Sequence, residues 1–371
     1  MSAANWGFKP MGRADMNADP VHDEFFSTKA IDSLAAALVR ESSQNSLDAR
    51  ANGHVQVRIV FGIDGWALPS AAAQPYLESL KPHVRAPDSG IRPDDLPAMD
   101  GSVPFLAIED FGTRGLQGDP LQDSAEETDG PGTSDFYYFW RNLGRSGKKE
   151  SDRGRWGLGH TVFAAASRVH SFFGLTKRRN DGRRLLMGQS IVKIHKIGKE
   201  KYCPYGWFGL VEEDHFVAPI EEEAQIETFE QQFHLERKDG SGLSVVIPFP
   251  DPSITHREVA KAFIQHYFAP LIRGTLSVLI ETPGGTVKLS RETLRAVAAD
   301  HFKERELENL LKTFDLVEWS QTVPATEIFG HDPFPSSKAP VWDLVKFSDD
   351  SRVAMTKLYE DKQRLAVRVS P

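Results

Sequence analysis

Three polar residues near the beginning of the chain have types and spacing that could do chemistry. Glu41, Asn45 and Asp48 are separated by four and three residues, which places them on one face of a helix. Leu34 and Leu38 form an apolar stripe whose continuation lands on these residues. Burial of two acids and an amide on a face predicted to pack inward costs free energy, because the carboxylates lose their hydration. A bound cation with its waters would compensate this cost. The alternative is a helix that rolls, so that this end is solvated.

A second candidate site follows a short apolar strand predicted over residues 103–108. The strand leads into Glu109 and Asp110, and two glycines, Gly112 and Gly115, come next. A carboxylate at the end of a strand beside glycines would lie at the floor of a pocket, where the backbone can approach a ligand. It would accept a hydrogen bond from an exocyclic amine such as adenine N6. Taken alone, the pattern also fits an acid that caps its own turn.

A glycine-rich segment opens a short helix predicted over residues 161–166. Its candidate binding positions are Gly154, Gly157, Leu158, Gly159 and His160. Glycines at the start of a helix present backbone N–H groups and the positive end of the helix dipole to phosphate. The preceding residues 144–155 have almost nothing to bury and are predicted to be mobile. A P-loop is excluded, because His160 replaces its lysine and no apolar strand precedes the glycines.

Composition and charge exclude several classes of protein. The 371 residues include 44 basic and 52 acidic side chains, and the net charge of -8 argues against a general nucleic-acid-binding surface. The net charge does not exclude a local basic patch at residues 141–155 or 177–184. Cys203 is the single cysteine, so neither a disulfide framework nor a cysteine zinc site is expected. The absence of a signal-like or membrane-spanning apolar segment predicts a soluble cytoplasmic protein.

The order of the elements predicts an α+β fold. A helix beginning near Ile31 precedes a strand at residues 55–61, and a mostly antiparallel run of strands with helices between them follows. This order indicates a two-layer α/β sandwich with a mixed sheet. Later strands are predicted at residues 169–176, 185–194, 207–211 and 243–249. Residues 67–101, rich in Pro, Ala and Asp, are interpreted as an insertion or long loop.

A boundary near residues 248–252 would divide the chain into two domains, residues 1–250 and 251–371. The second part opens with a helix, a strand, a turn and a strand, which indicates a smaller α/β domain. These elements are predicted at residues 255–272, 275–281 and 287–289, with a closing strand at 365–369.

The three motifs, in this order, resemble the GHKL ATPase superfamily of gyrases, heat-shock chaperones, histidine kinases and MutL proteins. The resemblance covers about residues 25–250. It is closest in style to prokaryotic microrchidia-like or heat-shock-chaperone-like ATPases, some of which act in anti-phage defence. It implies the Bergerat fold, ATP and Mg²⁺ between a helix and the sheet, and a lid at about residues 144–156. It also implies homodimerisation on ATP binding and a transducer-like domain at residues 251–371. Whether the protein binds a protein partner or DNA is left open, and no association with a membrane is expected.

The resemblance assigns a role to each motif position. Glu41 would be the general base that polarises the attacking water, and Asn45 would ligate Mg²⁺. Asp48 would support the water network or the adenine side, while Asp110 would bind adenine N6 and Gly112 would leave room for the base. The other nucleotide-binding positions are Gly115, Gly154, Gly157, Leu158, Gly159 and His160. Candidates for a lysine that reaches the γ-phosphate are Lys261 and Lys288.

The chain departs from the family pattern at three places. One extra residue precedes Gly115, and His160 stands where relatives often carry lysine. Leu243 occupies a position where threonine is common, which leaves Ser241 or Ser244 as substitutes.

Two alternatives to an ATP hydrolase stay open: a protein kinase of the same fold, and a nucleotide-sensing subunit without turnover. The acid of the first motif favours hydrolysis, because phosphoryl transfer to a protein histidine needs no water-activating base.

Overall fold

A computed structural model describes residues 4–20, 33–125, 133–142, 159–238, 240–324, 328–330 and 347–368. The predicted lid lies outside these residues, as do Gly154, Gly157 and Leu158. The chain divides into two compact units, and the division in sequence falls after Phe302. The first unit contains every predicted site residue that the structure describes.

The described part of the first unit forms eight α-helices and eleven β-strands. The helices are α1 Leu34–Asp48, α2 Ser70–Leu77, α3 Lys81–Val84, α4 Asp135–Trp140, α5 Thr161–Ala165, α6 Glu223–Gln232, α7 His256–Ile272 and α8 Leu294–His301. The strands are β1 Asn5–Pro10, β2 Val55–Gly62, β3 Phe105–Phe111, β4 Ser171–Lys177, β5 Arg184–Ile191, β6 His195–Ile197, β7 Glu200–Val211, β8 Val217–Ala218, β9 Gly242–Pro248, β10 Leu276–Thr282 and β11 Gly285–Leu289. The second unit contains α9 Glu304–Thr322, α10 Asp349–Glu360 and a parallel pair, β12 Ile328–Gly330 with β13 Ala366–Arg368. Within the described residues, no helix combines the length and apolarity needed to cross a membrane.

One mixed sheet runs through the first unit in the order β1-β7-β5-β4-β9-β3-β2-β10-β11. β6 and β8 pair with β7 beside this path. β2 and β10 are parallel, whereas the other neighbouring strands are antiparallel. The predicted α+β class and the mixed, mostly antiparallel sheet are therefore confirmed.

Helices cover both faces of this sheet. We call the face that carries α1, α5 and α7 the near face. On the opposite, far face, aromatic side chains pack on Phe105 and Phe173 of the sheet: Tyr76 of α2, Phe229 of α6, and Phe233 directly after α6. Residues 67–101 therefore contribute helices to a further layer, where the sequence indicated an insertion or loop. Burial on both faces explains why β3 and β4 are buried along almost their whole length.

The near-face layer continues past the boundary predicted near residue 250. α7 packs against α1, and the Tyr267 hydroxyl donates a hydrogen bond to Arg40 O at 2.7 Å. β10 extends the sheet by pairing with β2, for instance at Val278 opposite Val57. The compact unit ends at Phe302 as a result. A separate transducer-like domain at residues 251–371 is not confirmed and stays a prediction.

Candidate functional site

Helix α1 presents small residues to the protein core and a polar stripe beside them. Ser42 and Ser46 are buried, Glu41 is half-buried, and Asn45 and Asp48 are exposed. Burial of the two serines is tolerated because each hydroxyl donates to a backbone carbonyl one turn earlier. The prediction that the acids pack inward is therefore wrong, and burial gives no reason for a compensating cation.

Glu41 and Gly159 bring the first and third motifs together. A Cβ atom on Gly159 would lie 2.3 Å from Glu41 Oε2 and 3.3 Å from its Cδ. Only a residue without a side chain therefore lets the carboxylate occupy this position. Gly159 lies two residues before the first residue of α5, and α5 packs on β4, β5, β9 and α1. The packing of α5 thus holds the glycine motif against the Glu41 carboxylate.

Asp110 is a fixed hydrogen-bond acceptor between α1 and the sheet. Its Oδ1 accepts hydrogen bonds from Thr113 Oγ1 at 2.7 Å and from Leu243 N at 2.8 Å. Its Oδ2 lies 3.0 Å from Ser46 Oγ of α1. Donors from the loop after β3, from β9 and from α1 therefore converge on one carboxylate. Hydrogen bonds to a charged acceptor are the strong ones, so this convergence fixes the carboxylate's orientation.

The neighbouring acid, Glu109, lies on the far face because successive residues of a strand alternate between faces. It is fully buried and pairs with Arg58 at 2.7 Å. Ser244 Oγ and Glu236 N donate to the same carboxylate, at 2.8 and 3.1 Å. A buried acid with this set of partners has a structural role. Of the two adjacent acids, Asp110 is the one that faces α1.

Gly112 and Gly115 are required by the backbone of the loop after β3. Their φ angles are +81° and +70°, in the region that favours glycine. A Cβ atom would lie 2.4 Å from His54 O at Gly112 and 2.4 Å from Lys177 O at Gly115. These close approaches explain both glycines as parts of the loop. Contact of either glycine with a nucleotide stays a prediction.

Arg114 ties the same loop to α1 and α4. Its Nε donates to Asp135 Oδ2 at 2.9 Å, and one of its terminal nitrogens donates to Asp48 O at 3.1 Å. Its backbone N–H donates to Ala49 O at 3.0 Å. The loop is therefore fastened to the C-terminal end of α1, which positions Asp110 relative to the polar stripe of that helix.

Three further candidates, one histidine and two lysines, occupy separate places in the first unit. His160 is buried at the start of α5, with its ring centroid 5.6 Å from that of Phe139. Lys261 of α7 pairs with Glu258 at 3.1 Å. Lys288 is exposed on β11, at one end of the strand order. The phosphate roles of these three residues stay predictions.

The hydroxyl groups that hold Asp110 belong to residues that the motif spacing does not single out. Thr113 and Ser46 make these contacts. Ser244 lies on the far face, and Ser241 Oγ donates to Thr113 O at 2.6 Å. Neither serine bonds to Asp110 in these contacts, and the prediction that Ser241 or Ser244 replaces the family threonine stays a prediction. Thr113 and Ser46 each directly follow a motif residue in the sequence, which is the one signal that could have found them.

The basic segment 177–184 is largely neutralised by acids. Its ion pairs are Arg178 with Asp181 at 3.0 Å, Arg183 with Glu221 at 2.7 Å, and Arg184 with Glu223 and Glu230. Arginines engaged in this way offer little free charge to a phosphate backbone. Three of the five basic side chains are therefore held by acids, whereas Lys177 donates to Lys238 O and Arg179 is exposed, and a local basic patch stays a prediction.

Comparison with known proteins finds solved structures that are similar to this chain, and two of them are described below. No protein-family model and no curated protein matches the sequence. The ATPase region of Saccharomyces cerevisiae topoisomerase II bound to ICRF-187 (dexrazoxane) is 11% identical with a TM-score of 0.32, over 71% of this chain and 51% of that one. The N-terminal domain of a DNA repair protein is 12% identical with a TM-score of 0.28, over 71% and 55%. The chain therefore spans about half the length of each, and the contacts described above carry the proposal that follows.

Proposed function

We propose that this protein binds ATP between α1 and the near face of the sheet and hydrolyses it. The observation that carries the proposal is the placement of two acids around α1. Glu41 of this helix lies against Gly159, and Asp110 is held by Ser46 of the same helix. From Glu41 to Ser46 the helix rises by roughly 7.5 Å. A nucleotide can extend over this distance from its base to its terminal phosphate.

The two acids would act at opposite ends of that nucleotide. Asp110 would accept a hydrogen bond from the 6-amino group of adenine, since its carboxylate is held in place by protein donors. Glu41 would accept a proton from the water that attacks the γ-phosphate, a task that needs a carboxylate within hydrogen-bond reach. Its half-buried position leaves it accessible to water.

The residues of α1 fit a magnesium ion. Asn45 carries an amide oxygen on the exposed side of α1, one turn after Glu41. Mg²⁺ prefers oxygen ligands, and in nucleotide sites one or two protein oxygens hold it together with phosphates and waters. Among the described residues, no group of three or more His, Cys, Asp or Glu side chains could hold a metal ion by itself. When bound with nucleotide, the ion would neutralise phosphate charge.

Replacing Glu41 with glutamine tests the proposal. E41Q keeps the size of the side chain but removes the base, so phosphate release should fall by about 100-fold or more. ATP with Mg²⁺ should still raise the melting temperature of the variant, because binding to the folded state stabilises it. Phosphate release and thermal shift are measured on both proteins, with E78Q, at an exposed acid on the far-face layer, as the matched control.

Two outcomes would contradict the proposal in different ways. Equal phosphate release by E41Q and the wild-type protein would remove Glu41 as the base of hydrolysis and favour the two alternatives, a protein kinase of the same fold or a nucleotide-sensing subunit. Absence of a thermal shift with ATP and Mg²⁺ in the wild-type protein would remove ATP binding itself.

Hydrolysis would then act as a conformational switch. We propose that ATP closes a lid at residues 144–156 and stabilises a homodimer in the cytoplasm, and that hydrolysis releases it. The motif resemblance supports this part of the proposal.

Phosphate release measured with and without DNA tests a DNA partner. An anti-phage role predicts that cells carrying the wild-type protein resist infection better than cells carrying E41Q.

A further inference from the structure

We propose that Thr113 is a positioning residue that makes the site selective for purines with a 6-amino group. The inference rests on the proposed ATP site and concerns the extra residue in the loop after β3. Thr113 is 1% exposed, and its hydroxyl donates to Asp110 Oδ1 at 2.7 Å. No motif position of the family resemblance falls on it.

The two oxygens of Asp110 are used differently. Oδ1 accepts from both the Thr113 hydroxyl and the Leu243 backbone N–H. Each carboxylate oxygen offers about two lone-pair sites, so Oδ1 is fully used. Oδ2, the oxygen next to α1, lies 3.0 Å from Ser46 Oγ. The Ser46 hydroxyl has a single proton, and Ser42 O lies 2.9 Å away as a competing acceptor.

Oδ2 is therefore the oxygen that can accept a hydrogen bond from a ligand. A donor such as the 6-amino group of adenine satisfies it, whereas the 6-oxo group of guanine places two acceptors against each other. A site built around a buried polar partner rejects ligands that leave that partner unpaired. Selection between the two bases thus depends on keeping Oδ2, and not Oδ1, turned toward the ligand.

Thr113 supplies the side-chain donor that keeps Oδ1 turned away from the ligand, while Ser46 occupies at most one of the two lone-pair sites of Oδ2. Leu243 supplies only a backbone N–H, and the terminal torsion of a carboxylate is broad unless donors hold it. Thr113 is itself fixed, because its carbonyl accepts from Ser241 Oγ at 2.6 Å and it forms a β-bridge with Arg50. The hydroxyl therefore points at Asp110 from a rigid part of the loop.

The test compares ATP with the triphosphate of purine riboside, which lacks the 6-amino group. T113V removes the hydroxyl and keeps the shape, so the Kd for ATP should rise about tenfold, or ~1.4 kcal/mol. The Kd for purine riboside triphosphate should change less than about twofold, because no amino group meets Asp110. T113S restores the donor and should restore ATP affinity. Binding is measured by calorimetry on the full chain.

Controls separate positioning from loss of structure. T228V makes the same substitution on the exposed side of α6, where the hydroxyl donates to Ala224 O of its own helix, and should leave both affinities unchanged. Equal weakening of both ligands by T113V would overturn the inference in favour of a merely structural role, as would ATP affinity equal to that of the wild type. If T113V does not fold, T113A removes the same donor and is judged by the same comparison. A wild-type protein that binds neither ligand would overturn the proposed function as well, which distinguishes the two failures.

Discussion

At the candidate site, a side chain comes so close to a glycine that no other residue type fits at the glycine position. Gly159 exists as glycine because the Glu41 carboxylate occupies the space of its missing side chain. The atom that a Cβ would meet is the end of a side chain and not backbone. A substitution at this position should therefore displace the carboxylate without disturbing the fold.

The variant G159A tests this residue-scale prediction. Displacement of a catalytic group by about 1 Å can cost about 100-fold in rate, so kcat should fall by about 10- to 100-fold. Stability should change by about 0.5 kcal/mol or less, since the carboxylate can move aside. Phosphate release and urea denaturation are the measurements. G53A, where a Cβ meets no atom within 4 Å, is the control. Loss of stability in step with kcat would contradict the prediction.

At the scale of elements, a buried histidine pair joins the far-face layer to the edge of the sheet. His83 Nδ1 of α3 and His195 Nε2 of β6 lie 2.8 Å apart. His195 Nδ1 lies 2.8 Å from Lys193 O, which can only accept, so this nitrogen carries the proton. His195 Nε2 then accepts from His83 Nδ1–H. Phe8 of β1 stacks on His83 at 3.9 Å, so the neutral pair also anchors the N-terminal strand.

This pair predicts a loss of stability in mild acid. Burial, and then the charge of His195, lower the pKa of His83 from 6.5 to about 4. Burial also lowers the pKa of His195, partly offset by the Lys193 carbonyl and Asp88. The unfolded chain therefore binds more protons between these values, and the unfolding free energy should fall as the pH drops from 6.5 toward 4. The His83 contribution is at most about 3 kcal/mol.

Urea denaturation between about pH 7 and about pH 4 checks the sign and size of this effect. H83F should show a smaller fall in unfolding free energy over this range than the wild type. H256Q, at an exposed histidine at the start of α7, should keep the wild-type profile. Identical pH profiles for H83F and the wild type would exclude the pair as the cause.

For the whole molecule, the proposed switch predicts a change in oligomeric state. ATP held without turnover should favour the closed, dimeric form, because its phosphates bias a two-state element. E41Q with ATP and Mg²⁺ should therefore show about twice the mass of the same protein without nucleotide. Light scattering coupled to size exclusion measures this, with ADP as the control ligand. A monomer under every condition, at ATP concentrations that saturate the thermal shift, would rule out the dimer.

Local sequence patterns determined a large part of this account. The helix at α1, the strand leading to Asp110 and the short helix α5 follow from periodicity and glycine placement, which act over a few residues. The α+β class follows from the order of those elements. The contact between Glu41 and Gly159 also fits the motif order, which predicts that the acid of the first motif and the glycine-rich third motif share one site.

Only the tertiary structure decided which side chains meet. Adjacent stripes of a helix differ by about 100°, and both stripes of α1 contain polar residues, so periodicity could not show that serines are buried and acids are not. The far-face helices α2 and α3 were hidden because short apolar runs between prolines resemble a loop. Asp110 bonds to Ser46 and Leu243, which are 64 and 133 residues away. Contacts between residues so far apart in sequence depend on how the sheet packs against its helices, and a local sequence pattern carries no information about that packing.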